Sequence, residues 1–124
     1  MGCRGGLLVL VAVGLGQAAL AGGNAERGAV IFDGNCADCH PTTEGISNKK
    51  GPSLLGIVGR PAAKWPGFDY SDAFKTLNFS WDADTIDKYV TSPKDFVPGN
   101  KMRFPGLPIA QERADLIEFL KGVR

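Results

Sequence analysis

Hydrophobic side chains recur at helical spacing in several stretches of this chain, and nowhere do they alternate in the manner of a half-buried strand. Near the C-terminus, "QERADLIEFLKGV" sets Leu116, Phe119, Leu120 and Val123 at i, i+3, i+4 and i+7, one face of a helix. "DADTIDKYVT" predicts a helix starting at Asp82, with Ile86, Tyr89 and Val90 on a common face. "SDAFKTL" predicts a short one starting at Ser71. Further upstream, Asn24 is placed to cap "AERGAVIFDGN", whose apolar side is Val30, Ile31 and Phe32. Gly28 lowers the helicity of that segment, so either it is merely tolerated or another helix approaches closely there. The C-terminal helix is the obvious partner. The expected fold is therefore all-α and single-domain, with its first and last helices in contact.

Between the helices lie long loops, above all "PTTEGISNKKGPSLLGIVGRPAAKWPGF", punctuated by turn residues. The chain holds 17 glycines and 8 prolines, so loop content should be high, yet there is no internal repeat. Fourteen basic residues stand against 13 acidic ones, which excludes the basic excess of a generic nucleic-acid binder.

A different pattern opens the chain. Arg4 precedes the apolar run Leu7 to Leu15, and Ala19-Leu20-Ala21 offers a small-residue cleavage signal before Gly22. The expected organisation is a cleavable signal peptide over 1–21 and a domain over 22–124. An uncleaved membrane anchor over Gly5–Gly23 is the alternative. Loss of the leader removes Cys3, Met1 and Arg4, leaving 13 basic and 13 acidic residues and only two cysteines. A core built from so short a chain is modest, and a large buried cofactor would enlarge it.

Those two cysteines stand in "NCADCHP", where Cys36 and Cys39 are followed at once by His40, the only histidine. A redox dithiol would follow a strand in a βαβ unit, but here the motif follows a helical stretch. A zinc site needs four ligands and would have to borrow a carboxylate or water. C-x-x-C-H also fits covalent haem attachment, with two thiols one helical turn apart and an imidazole beside them for the iron. A second axial histidine is impossible. With Met1 lost, the remaining donors are Met102, a lysine or water, unless the position stays open. Met102 lies in "VPGNKMRFPG", a loop stiffened by Pro98 and Pro105, where simple core filling is a weaker explanation than it would be on a helix face.

Taken together, "CADCH", "GPSLLGIVGR", "PGFDYSDAF", Trp81, "YVTSPKDFVPGNKM" and "RADLIEFLKG" give the chain from Asn24 to Arg124 a clear resemblance to class I c-type cytochromes of the mitochondrial and soluble purple-bacterial type. The resemblance implies one covalently attached haem c, bound through Cys36 and Cys39, with His40 and Met102 as axial ligands. It implies that the Pro52 carbonyl accepts from the His40 Nδ1 proton. It puts Arg60, Tyr70 and Trp81 around the haem propionates, Tyr89 on the methionine sulfur, and Asn100 and Lys101 on the propionate side of the methionine loop. Phe32 and Phe119 would join the terminal helices beside Gly28.

Two departures from the family pattern stand out. Phe74 occupies a position usually held by a polar residue of the buried network near Tyr89. Lys49, Lys94 and Lys101 match family lysines at the exposed haem edge, but Asn35, Pro108 and Ile109 replace others. What the resemblance implies is a non-enzymatic, monomeric electron carrier, with outer-sphere transfer through a coordinatively filled iron. Its partners would be redox proteins such as a bc-type complex, a terminal oxidase, a reaction centre or a periplasmic dehydrogenase, and membranes would be met only through them. Export implies the periplasm. The rival reading is a haem enzyme or gas sensor whose sixth ligand dissociates.

Overall fold

The computed structural model describes residues 1–2 and 22–124. The leader expected over 1–21 therefore falls, its first two residues aside, outside the described residues. Among the described residues five helices follow one another: α1 (Ala25–Asn35), α2 (Asp72–Lys75), α3 (Ala83–Thr91), α4 (Pro93–Phe96) and α5 (Ala110–Lys121). Among the described residues the only β pairing is an isolated antiparallel bridge between Pro61 and Ser80. None of these helices is long and apolar enough to cross a membrane.

Local chemistry sets where the helices begin. The Asn24 side chain accepts from the Arg27 amide at 2.8 Å. Asp82 and Thr85 form a reciprocal capping box, each side chain accepting from the other's amide at 2.8 Å. Ser71 accepts from the Phe74 amide at 3.3 Å and starts α2. The sequence reading missed α4. It is a single turn begun by Pro93, whose fixed φ suits a first helical position, and no side chain caps it.

The terminal helices cross where α1 has no side chain. A β-carbon on Gly28 would overlap the Asp115 carbonyl oxygen and lie 2.6 Å from its carbon and 2.8 Å from Phe119 Cβ. Close approach, not mere tolerance, explains this glycine. Phe32 and Phe119 pack beside it with ring centroids 5.1 Å apart. Leu116, Ile117 and Leu120 of α5 are buried with Phe32, and Ile86, Tyr89 and Val90 of α3 complete the helical part of the core.

One buried charge belongs to this crossing. Asp115 is 2% exposed. It accepts from Arg27 Nε at 2.7 Å and Nη2 at 2.9 Å, from the Asn24 amide at 2.8 Å and from Gln111 Nε2 at 3.1 Å. The Arg27 guanidinium, outweighing the effect of burial, holds its carboxyl down at about 2. The folded-state value lies below the unfolded one, so the pair stabilises the protein above the ordinary carboxylate range. That contribution is lost as pH falls from near 4 towards 2. Asp115→Asn should lower stability at neutral pH and flatten the acid limb of the unfolding curve between about pH 4 and 2, as measured by urea titration at stepped pH. Parallel acid limbs in the two proteins would refute this role.

Candidate functional site

The site is built from two groups of residues on separate loops. The first begins where α1 ends. The Cys36 and Ala37 amides both donate to the Phe32 carbonyl, at 2.7 and 3.0 Å, and the Cys39 and His40 amides donate to the Cys36 carbonyl, at 3.0 and 2.9 Å. "CADCH" is thus wound as a tight continuation of the helix, which keeps both thiols on one short turn. Both cysteines are free and half-buried. Burial, reinforced by the neighbouring Cys39, pushes the Cys36 thiol up to about 11.

His40 follows directly, its Nδ1 2.8 Å from the Pro52 carbonyl oxygen. A carbonyl can only accept, so Nδ1 carries the proton and Nε2 keeps its lone pair. Burial holds the imidazole below its ordinary range despite that hydrogen bond, which favours the neutral, ligating form. Gly51 makes room for the ring: a β-carbon there would sit 2.6 Å from Nδ1 and 2.9 Å from Nε2. The Gly51 amide also donates to the Cys39 carbonyl at 2.8 Å, locking this loop to the thiol turn.

The second group centres on Met102. The Tyr89 hydroxyl donates to its sulfur at 3.1 Å. Asn100 braces the loop from behind: its Oδ1 accepts from the Met102 amide at 2.8 Å, and its Nδ2 donates to the Pro93 and Val97 carbonyls at 2.8 and 2.7 Å. α4 therefore has a task, since its first residue, Pro93, and Val97 just after its end supply the carbonyls against which the methionine loop is fixed.

Around Tyr89 runs an aromatic cluster. Phe74 meets Tyr89 edge-on at 5.7 Å and lies 5.9 Å from Tyr70 and 6.3 Å from Trp81, so a phenyl ring fills the centre of the tyrosine surroundings. Trp81 is buried against Phe79 and Tyr89, with ring centroids at 5.1 and 5.2 Å.

Arg60 and Tyr70 are linked through Trp65, which the sequence reading passed over as loop. The Trp65 amide donates to the Tyr70 hydroxyl at 3.0 Å, its indole donates to the Gly45 carbonyl at 3.1 Å, and the Arg60 guanidinium stacks over its ring at 4.8 Å. Arg60 also donates to the Ser53 and Leu55 carbonyls at 2.8 and 3.1 Å. A lone tryptophan amid "AAKWPGF" was the available signal, because so large a ring seldom sits in a turn-rich loop without packing on something.

The three lysines expected at the haem edge are not equivalent. Lys49 donates to the Ala37 carbonyl at 2.6 Å, and Lys101 lies 3.5 Å from Asp69. Lys94 forms no ion pair among the described residues.

This donor set suits a covalently held haem. It offers two free thiols one turn apart, a neutral imidazole with its tautomer fixed, a neutral thioether and a glycine cradle against the ring. It suits zinc poorly: among the described residues no three His, Cys, Asp or Glu side chains gather closely enough to hold an ion.

Comparison with known proteins agrees with the fit. The Cytochrome c family model matches residues 25–124. Cytochrome c of Sesamum indicum is 44% identical over 99 residues, covering 80% of this chain and 89% of that protein. Cytochrome c of Stellaria longipes is also 44% identical over 99 residues, at 80% and 92% coverage. The Gibberella zeae protein of the same name is 42% identical over 102 residues, at 82% and 96% coverage. These relatives overturn the periplasmic expectation. They come from plants and a fungus, whose cells have no periplasm, and they group this chain with mitochondrial-type proteins. The chain belongs to the cytochrome c family, all-α electron carriers with one covalently attached haem c, and is not an enzyme.

Proposed function

We propose that this protein carries single electrons between a bc-type complex and a terminal oxidase by outer-sphere exchange. In this reading Cys36 and Cys39 would hold the haem through thioether bonds, and His40 Nε2 and Met102 Sδ would bind its iron. The haem unit is residues 22–124, acting as a monomer, with residues 1–21 a leader outside it. The bound haem supplies the one-electron iron couple.

The chain's own residues determine how that couple behaves. The Pro52 carbonyl keeps the His40 proton on Nδ1, which orients the ring and raises its basicity as a donor. The Tyr89 hydroxyl draws density from the Met102 sulfur, which favours the reduced state. Phe74, Trp81 and Phe79 exclude water from the surroundings of Tyr89, and low polarity again favours the form with less charge. Asn100 holds the methionine loop in one position, so the donor set need not rearrange when the charge changes. Arg60, Tyr70 and Trp81 would hold the propionate side, and Lys49, Lys94 and Lys101 would border the face where partners meet the haem edge.

The single observation that supports the reading is the Tyr89–Met102 hydrogen bond of 3.1 Å, which fixes the orientation of the thioether sulfur. The test is a redox-poised absorption spectrum of the purified protein, with the intact mass. The expected result is one haem added to the chain, pigment that resists acidified acetone, and a weak near-infrared sulfur-to-iron band in the oxidised form. Extractable pigment or a missing band would overturn the ligand assignment.

A further inference from the structure

Arg60 is a cation held among carbonyls. It forms no ion pair among the described residues. Its Nη1 and Nη2 donate to the Leu55 and Ser53 carbonyls at 3.1 and 2.8 Å, which leaves further N–H donors for another acceptor. Burial works against its charge, and nearby Tyr70 acts the other way. Tyr70 is set up in a complementary manner. Its hydroxyl accepts from the Trp65 amide at 3.0 Å, so one lone pair is engaged and the proton is free to be donated. Burial raises the pKa of that hydroxyl and keeps its proton in place. Both groups are donors suited to an anion.

Trp65 joins them. The Arg60 guanidinium lies 4.8 Å over its ring, and the indole N–H reaches back 20 positions to the Gly45 carbonyl at 3.1 Å. The chain turns sharply to put the ring there. Ala63, two residues earlier, has a φ of 57°, the left-handed region that side chains rarely adopt. Buried Ala62 anchors the start of that turn through its amide, which donates to the Phe79 carbonyl at 2.9 Å. Strain of this kind persists only where the surroundings enforce it, and it gathers at functional sites.

We propose that Trp65 is a positioning residue for the redox centre: its ring and its amide set Arg60 and Tyr70 as paired donors to one carboxylate of the bound haem. The inference rests on the electron-carrier reading and adds the residue that organises the propionate side, where the family resemblance names Arg60, Tyr70 and Trp81 only. A guanidinium stacked on an indole face cannot swing freely into solvent, so its charge acts from a fixed place. Fixed positive charge keeps a neighbouring carboxylate ionised, and it favours the iron state of lower charge. A leucine would occupy part of the same space without any attraction for a cation. If Trp65 merely pinned two loops together through Gly45, its loss would lower stability and nothing else.

The test follows the midpoint potential of the haem-loaded protein against pH. In Trp65→Leu the midpoint at neutral pH should fall. The acid end of the profile, where the potential begins to depend on pH, should move up by about one pH unit, the low end of what a guanidinium does to a carboxylate beside it. Trp65→Phe, which keeps a ring face, should stay closer to the wild type. Arg60→Lys keeps the charge but not the planar fork, and in that background Trp65→Leu should change the profile little, because Trp65 acts through Arg60. Lys64→Gln, which removes an exposed charge beside Trp65, should leave the profile in place. In the reduced wild type, nuclear Overhauser contacts should join the Arg60 side chain to the Trp65 ring, a measurement that needs no variant.

A Trp65→Leu profile identical to the wild type, even with lowered stability, would overturn the inference. So would a full Trp65→Leu effect in the Arg60→Lys background, a Trp65→Phe profile no nearer to the wild type than that of Trp65→Leu, or a wild type without the Arg60–Trp65 contacts. Absence of a reversible one-electron couple in the wild type would instead sink the carrier reading, so the two failures are distinct.

Discussion

Met102→Ala should lower the midpoint potential by about 0.2 V or more, a sizeable part of the roughly 0.8 V that axial ligation can span. The near-infrared sulfur band should vanish, and added imidazole should bind quickly. A neutral thioether favours Fe(II), and water or an empty position does not replace that preference. The size of the shift separates ligation from lesser effects. Loss of one hydrogen bond is worth about 1 kcal/mol, and a one-electron couple moves by roughly 60 mV per 1.4 kcal/mol, so removal of the Tyr89 contact alone accounts for about 40 mV. Collapse of the loop is not expected either. The bracing hydrogen bond at 2.8 Å uses the amide of residue 102, and Asn100 keeps its two bonds to the Pro93 and Val97 carbonyls. Unchanged far-ultraviolet circular dichroism with a large potential shift is the expected pair of measurements. An unaltered spectrum and midpoint would remove Met102 from the iron.

Gly28→Val should cost about 3 kcal/mol, the upper end of overpacking costs, in urea unfolding of the haem-loaded protein, out of the roughly 5–15 kcal/mol that such a domain possesses. The new β-carbon meets the Asp115 carbonyl and Phe119 Cβ, and neither is the far end of a flexible side chain. The helices must therefore separate, which weakens the Phe32–Phe119 contact and the Arg27–Asp115 pair together. Gly28→Ala distinguishes this account from one based on helix propensity. Propensity alone makes alanine stabilising by about 1 kcal/mol, whereas the crossing makes it destabilising, though less than valine. A more stable alanine variant would show that the helices have slack at this point.

The parts of the fold legible in the sequence were those with local causes. Asn24, Ser71 and Asp82 each cap a helix through an amide three positions away, so the sequence window holds the whole interaction. α4 escaped because one turn is too short to show periodicity and its purpose, carbonyls for Asn100, lies several residues on. The same division holds at the site. The thiol turn and its histidine are contiguous, whereas elimination left Met102 beside a lysine, water or an open position, and its assignment came with the family resemblance. The Pro52, Tyr89 and propionate-side roles came only through the family resemblance.

The long-range ion pairs were not legible. Asp115 reads as one more charge on the outer face of α5, and only the absent side chain at Gly28 and the reach of Arg27, 88 positions earlier, make it a buried acceptor. Lys101 likewise reads as a free cation until Asp69 is brought beside it. The compartment was misjudged for a related reason. An apolar leader signals engagement with a membrane machinery, but its hydrophobicity does not say which cell the machinery belongs to.

The crossing of the first and last helices also constrains how the chain matures. α1 ends in the thiol turn, yet its packing partner α5 is the last of the described helices, so loop closure must span nearly the whole described domain before α1 is buried. During synthesis the Cys36–His40 turn emerges long before that partner exists. A haem joined to Cys36 and Cys39 before α5 docks would meet a turn still open to solvent, and the docking of α5 would close the assembly behind it.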